Sequence, residues 1–515
     1  SLAYTWWNVG LPRTLDNLGT PGAPPVTVSY GFEEGGELQP GYDGHINVTH
    51  VSDSLGGLTE YGYDHRDRLV SIAQSTGAGQ APRRNGPGGP VAGLGASVSG
   101  GSLGLPGFGT SVALGTAAPE RLVTFQWDAA SLLREVHRFK DLAGTDEVLE
   151  TLYDYDCGGC AQRITGIEHR RASDRSVVHA MTWQRDDLGN PVSGTDAEGA
   201  HQWLHDGARR LVSADRPDGG ALVDEAYAYD DAGNRQSSHL SSTALYAYET
   251  GTGGQQLLAD DRYDYDWNRN GQLRTRTTYT WDHRGRLARV VEEDAGGVEL
   301  HRAESVYDAI DRKVRSTEDG VVRHYVYDRE NPILVLDEVG QVVTRRLYGR
   351  TFDEIWAEEL NGETRWLLGD HVRTQRDAVD DDGDVVWHRV YDAFGNVLEA
   401  TGDVRDSDLT YMARSFSTVT GLFDFRARAY DPAVGRFLSE DPVAPFHYSF
   451  VENSPLQFLD PDGRTALIEF ACFAVAAYNN AQSVAKLPGE LITAVSEIVV
   501  TALELGGGGG GGGGD

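Results

Sequence analysis

A recurring unit constrains this chain more than any other feature. It reads aromatic-x-aromatic-Asp, then a few small or charged residues, then Gly-Arg or Gly-Asn, then an apolar pair. Clear copies carry Tyr63-Asp64, Trp127-Asp128, Tyr229-Asp230, Tyr265-Asp266, Trp281-Asp282, Tyr307-Asp308, Tyr327-Asp328 and Tyr391-Asp392; weaker ones surround Tyr155-Asp156, Trp183 and Trp203. The alternating aromatics are a strand signal of period two. The Asp and the Gly-Arg or Gly-Asn pair are turn chemistry, because Asp bonds its own backbone and Gly supplies a positive φ. Each unit is therefore a β-hairpin, which buries one face only by pairing with the next. Successive spacings that include 16, 20 and 26 residues fit a repeat architecture.

Composition agrees with a thin-walled repeat protein. The 515 residues exceed a single compact core, yet only 39% are hydrophobic, while Tyr (23) and Gly (63) are abundant. The formal net charge of −33 repels phosphates and anionic membranes, so neither nucleic acid nor a membrane is an expected partner of the body of the chain. No apolar run reaches the length of a membrane span. No signal peptide is visible, and the opening residues read like a repeat interior, as expected of a cut from a longer chain. The cysteines Cys157, Cys160 and Cys472 make no disulfide framework, and the lone Cys157-Gly-Gly-Cys160 lacks the second ligand pair that zinc requires. No metal or cofactor is expected. Residues 77–118, rich in Gly, Pro and Ser, read as a loop inserted between repeats.

The composition changes at residues 421–463, GLFDFRARAYDPAVGRFLSEDPVAPFHYSFVENSPLQFLDPDG. This stretch is dense in aromatics, arginines and Asp-Pro pairs. Read from the residues alone, its Asp-Pro pairs are either turns or a pair of carboxylates able to hydrolyse a peptide. Beyond it, the apolar residues of the tail take a helical period, which predicts helices over about 466–481 and 488–504 before a run of glycines. His371, in the block before the junction, reads as structural, since the sequence gives it no catalytic partner.

Together the repeats and the closing stretch resemble the YD-repeat proteins: Rhs proteins with their Rhs-associated core, the C components of bacterial Tc toxin complexes, and animal teneurins. The resemblance covers most of residues 1–463. It implies an all-β fold in which hairpins coil into a hollow shell, followed by a short helical C-terminal segment. The implied divisions are a shell over 1–420, a closing element over 421–463 and a C-terminal stub over 464–515. It also implies an aspartic self-protease with catalytic Asp441, Asp460 and Arg428, cutting after the DPDG element between Arg464 and Thr465. Three departures stand out: the spacing from Asp441 to Asp460 is short, Ser454 replaces an Asn, and Arg464 occupies a position that is apolar in the family. A charged residue fits an apolar pocket badly.

The implied function is to enclose a C-terminal toxin or effector and release it by self-cleavage, at the cell surface or after secretion. The implied partners are the chain's own C-terminal segment and a secretion apparatus or other shell component. The alternative is an extracellular adhesion or structural protein of the same repeat without cargo.

Overall fold

A computed structural model describes residues 2–6, 11–17, 26–34, 37–76, 120–156, 163–217, 222–240, 247–248, 257–259, 266–267, 273–274, 277–294, 297–351, 353–360, 362–402, 407–442, 448–464 and 467–468. The 77–118 insertion, the three cysteines, Thr465 and nearly all of the tail lie outside them. One compact unit comprises Ser1–Asp154 and Ile164–Glu469. The other comprises Tyr155–Arg163 and Phe470–Asp515; in it the Asp156 N–H donates to the Arg163 carbonyl at 3.1 Å.

The larger unit is built almost wholly of antiparallel strands, as the repeat predicts. Fifteen strands from Leu2–Trp6 to Glu225–Ala226 form one sheet, and twelve from Thr278–Trp281 to Val397–Gly402 form another. With one excursion, the hairpin of Gly31–Glu34 with Glu37–Pro40, each strand of these sheets pairs with its neighbours in sequence.

The repeat motif has a single physical explanation. In the unit at Asp64, the carboxylate accepts the N–H groups of Arg66 (2.8 Å) and Arg68 (3.1 Å), and Arg68 Nε closes on its second oxygen at 2.7 Å. The same turn forms at Asp128, Asp186, Asp206, Asp230, Asp282, Asp308 and Asp392. The fourth residue of each turn takes a positive φ, from 59° at Asp67 to 98° at Gly395, which is why Gly recurs there. The Arg that follows reaches forward to the next turn. Arg286 donates to the Asp308 carbonyl at 2.7 Å and lies 4.7 Å from the Tyr307 ring, while Tyr307 Oη donates back to the Leu287 carbonyl at 2.9 Å. Aromatic, Asp and Arg thus lace consecutive hairpins together. The unit at Tyr42-Asp43 and those at Asp337, Asp370 and Asp380 follow the same turn rule but lack part of the sequence signature. Tyr327-Asp328 departs from the rule: Asp328 pairs directly with Asn331 across a two-residue turn, and accepts Tyr30 Oη at 2.9 Å.

The inner faces of the two sheets share one core, in which Val28, Ile72 and Val123 meet Leu334, Leu347 and Trp366. Ion pairs close its margins, among them Arg121–Glu359 at 2.5 Å and Arg171–Asp384 at 2.6 Å. At one seam His388 bridges Asp377 Oδ1 (2.7 Å) and Glu198 Oε1 (2.8 Å), and His179 caps the other oxygen of Asp377. His179, Asp377 and His388 bring ligand-type atoms within 4.8 Å of one another, but here their Nδ1 and carboxylate atoms are committed to each other.

Burial opposes ionisation of Asp377, yet hydrogen bonds from His179 and His388 hold its carboxyl well below the usual range. The hydrogen bonds to Asp377 and Glu198 push His388 up to about 9. This folded value lies above that of a free imidazole, so the stabilisation is complete below about pH 6.5 and is lost as pH rises through the folded value. The difference in melting temperature between the wild type and His388→Asn is therefore expected to shrink between neutral pH and the folded value of about 9. Thermal unfolding across that range checks it, and a constant difference contradicts it.

The closing element adds a four-stranded sheet, Ser415–Ser417, Leu422–Phe425, Arg428–Asp431 and Arg436–Phe437. Its aromatics explain why this stretch is so apolar: Phe425, Tyr430 and Phe450 are fully buried, with Phe437 edge-on to Phe425 at 5.8 Å. The tail reading requires a correction at its start. Leu467–Ile468 is extended and pairs with Phe458–Leu459 rather than opening a helix, because the strand edge after the junction offers it backbone partners.

Candidate active site

The junction places three arginines around the DPDG turn. Arg426 turns the hairpin between Phe425 and Arg428 with φ 63°, and its guanidinium pairs with Asp353 Oδ1 at 2.8 Å. Lys313 fixes the same hairpin to the large sheet through Asp424 Oδ2 at 2.9 Å. Arg414 and Arg426 both donate to the Pro461 carbonyl. Arg428, which opens the next strand, donates through Nε to the Gly463 carbonyl.

The same Arg428 gathers both aspartates. Its Nη2 lies 2.9 Å from Asp441 Oδ2 and 3.5 Å from Asp460 Oδ2. All three side chains are buried, and the guanidinium lies 3.6 Å from the centroid of the Phe437 ring. Burial pulls the Arg428 guanidinium below its ordinary value, while Asp460 and then Asp441 hold it up. Asp441 follows the Arg436–Phe437 strand and Asp460 follows Phe458–Leu459, so the site exists only when separate strands have met.

The chain around Gly463 is held on both sides. Asp460 Oδ1 accepts the Arg464 N–H at 3.1 Å and Asp462 Oδ1 accepts it at 3.0 Å. Gly463 takes φ 71°, and a Cβ there would lie 2.3 Å from the Phe425 carbonyl oxygen, so glycine is required. The Gly463–Arg464 peptide is therefore held by Arg428 on its carbonyl and by Asp460 and Asp462 on its N–H, with Thr465 next in the chain.

The structure thus brings together Arg428, Asp441, Asp460 and the backbone of Arg464. The Arg464 side chain turns to the wall of the shell, where its Nη2 meets Asp311 Oδ2 at 2.7 Å. Ser454 is accommodated by donating to the Arg209 carbonyl. His371 is structural, as its surroundings in sequence suggest: its ring lies 4.2 Å from that of Trp183, and its Nε2 bonds the Leu456 carbonyl at 3.0 Å. Burial, reinforced by Arg185, pushes it down to about 3, so it is neutral. Sequence reasoning missed Asp311, Asp462 and Arg426. Asp462 and Arg426 lie within motifs already singled out, whereas nothing near Asp311 in sequence points to the junction.

The sequence model of the family described as Teneurin YD-shell matches residues 180–454, more than half of the chain. The chain belongs to the teneurin YD-shell family. Among curated relatives, double-stranded DNA deaminase toxin A of Burkholderia cenocepacia (strain H111) is 22% identical over 504 residues, which cover 88% of this chain and 31% of that protein. Toxin subunit YenC1 of Yersinia entomophaga is 25% identical, with 62% and 37% covered. The tRNA3(Ser)-specific nuclease WapA of Bacillus spizizenii is 28% identical, with 49% and 11% covered. The YD-shell chain therefore spans between about a tenth and two fifths of these relatives. Two solved structures share its fold. The Photorhabdus luminescens Tc holotoxin pore matches with TM-score 0.53 and 15% identity, covering 91% of this chain and 27% of that one. The TcdB2-TccC3-Cdc42 crystal structure matches with TM-score 0.52 and 16% identity, covering 90% and 28%.

Proposed function

We propose that this YD-shell chain encloses a C-terminal polypeptide, a toxin or effector, and severs it by aspartic self-cleavage between Arg464 and Thr465. One observation carries the reading: Arg428 joins Asp441 and Asp460 through Nη2 and grips the Gly463 carbonyl through Nε. The toxin names of relatives and the Tc assembly of a structural neighbour support it further. In this reading residues 1–420 are the shell wall, 421–463 the closing element and 464–515 the start of the cargo. Other shell components or a secretion apparatus are its partners, and it acts outside the producing cell.

Hydrolysis needs one carboxylate ionised and one protonated, a division of labour that two carboxyl groups at one site can share. The ionised group takes a proton from water as the water oxygen bonds to the Arg464 carbonyl carbon. The protonated group donates to the carbonyl oxygen. The aspartate that took the water's proton passes it to the Thr465 nitrogen, and collapse of the tetrahedral centre breaks the C–N bond as one hydroxyl proton returns to the other aspartate, leaving a carboxyl group on Arg464 and a free amino group on Thr465. Arg428 fixes the chain one residue upstream and supplies positive charge where negative charge develops.

Gel filtration of the purified chain under native and denaturing conditions tests the whole reading. A fragment beginning at Thr465 is expected to travel with the shell in native buffer and to separate only in denaturant. A single uncut chain, or a fragment that separates natively, contradicts it.

A further inference from the structure

We infer that Asp311 is the specificity seat for residue 464: a carboxylate in the shell wall that selects a basic side chain at the cleaved position. The inference rests on the self-cleavage reading above. Asp311 is the fourth residue of the turn opened by Asp308, the position with positive φ, and its own φ is 70°. Equivalent turns place Gly189, Gly233, Gly285 and Gly395 there, so the backbone asks only for a residue that tolerates the left-handed region. Asp tolerates it, but the turn alone gives no use to the carboxylate.

That carboxylate is fully employed outside its own turn. Oδ1 accepts Arg286 Nη1 at 2.9 Å, and Oδ2 accepts Arg284 Nη2 at 3.1 Å and Arg464 Nη2 at 2.7 Å. Asp311 is mostly buried, whereas Arg464 is 37% exposed, so the seat lies at the wall and the guanidinium reaches into it from a wetter side. Arg428 holds the Gly463 carbonyl on one side of residue 464, and Asp311 holds the side chain of residue 464 itself. Two anchors fix the peptide that leads into the cleaved bond, and small losses of alignment are costly in such a step. The charge that does not suit an apolar pocket is thereby matched by an opposite one in a partly water-excluded place. Asp311 is a positioning residue; it acts through Arg464 and takes no part in proton transfer.

The test follows cleavage of the full chain by intact mass after refolding from denaturant, in a two-by-two set: wild type, Asp311→Asn, Arg464→Leu and the double variant. Asn keeps the left-handed turn. Asp311→Asn is expected to slow cleavage about ten- to a hundredfold, the worth of one charge-assisted hydrogen bond. In the Arg464→Leu background the same substitution is expected to leave the cleavage rate unchanged, because residue 464 then has no cation for the seat to hold, whatever Arg284 and Arg286 still contribute to the fold. Equal slowing in both backgrounds would mean that Asp311 serves only the fold, and an unchanged rate in Asp311→Asn would also overturn the inference while leaving self-cleavage intact. A wild type that never cuts removes the self-cleavage reading and the seat with it.

Discussion

Arg428→Met is expected to leave the chain uncut and to lower its stability by about 3–5 kcal/mol, the cost of removing one partner from a buried ion pair. The side chain is 3% exposed and is the cation that both Asp441 and Asp460 reach. Met fills much of its volume against Phe437 but leaves the two buried carboxyl groups without their cation. Arg428→Lys separates the two roles of this residue. It restores the charge, and with it much of the stability, but a single ammonium cannot serve Gly463 and both carboxylates in the forked geometry of a guanidinium. Lys is thus expected to fold and to cut slowly. Thermal melts read the first effect and intact mass the second. Loss of both in the Lys variant, or of neither in the Met variant, would refute the assignment.

Asp441→Asn and Asp460→Asn carry the second large effect, in the rate alone. In the proposed self-cleavage each replaces a group that would gain or lose a proton by one that does neither, and such losses run to about a hundred- to ten-thousandfold. The amide keeps the volume and can still accept from Arg428 and, at 460, from the Arg464 N–H. The folded shell should therefore survive with the tail still attached. Near-identical circular dichroism with a single intact mass is the expected pair of results. A normal cut in either variant would exclude that aspartate from catalysis.

Much of this was legible in the chain itself, and the repeat shows why. A hairpin turn is local: the Asp, the residue of positive φ and the closing Arg or Asn lie within five residues, so chemistry and spacing appear together in sequence. The exceptions fail for local reasons too. Asp370 and Asp380 form the same turn without an aromatic immediately before them, and Tyr327-Asp328 has the aromatic but a two-residue turn. The grouping of the candidate site was legible in part, because Arg428, Asp441 and Asp460 fall within one short motif-rich stretch and the fold brings them together. What was hidden is contact between distant segments. Lys313 reaches Asp424, Asp353 reaches Arg426 and Asp311 reaches Arg464, pairs whose members are 73 to 153 residues apart. The wall of the shell decides those pairings, and no periodicity along the chain announces them. Arg464 illustrates the consequence: judged by its neighbours in sequence it is a misfit, and judged by its place on Asp311 it is matched.

The central claim is that closure of the shell creates a protease that acts on its own chain. Its most direct measurement is the rate at which the intact mass disappears after refolding, followed over a wide range of protein concentration. Self-cleavage within one chain predicts a first-order rate independent of concentration, a new N-terminus at Thr465, and no cutting before the β-sheet signal has returned. A rate that rises in proportion to concentration, or a wild-type chain that folds and stays whole, would contradict it.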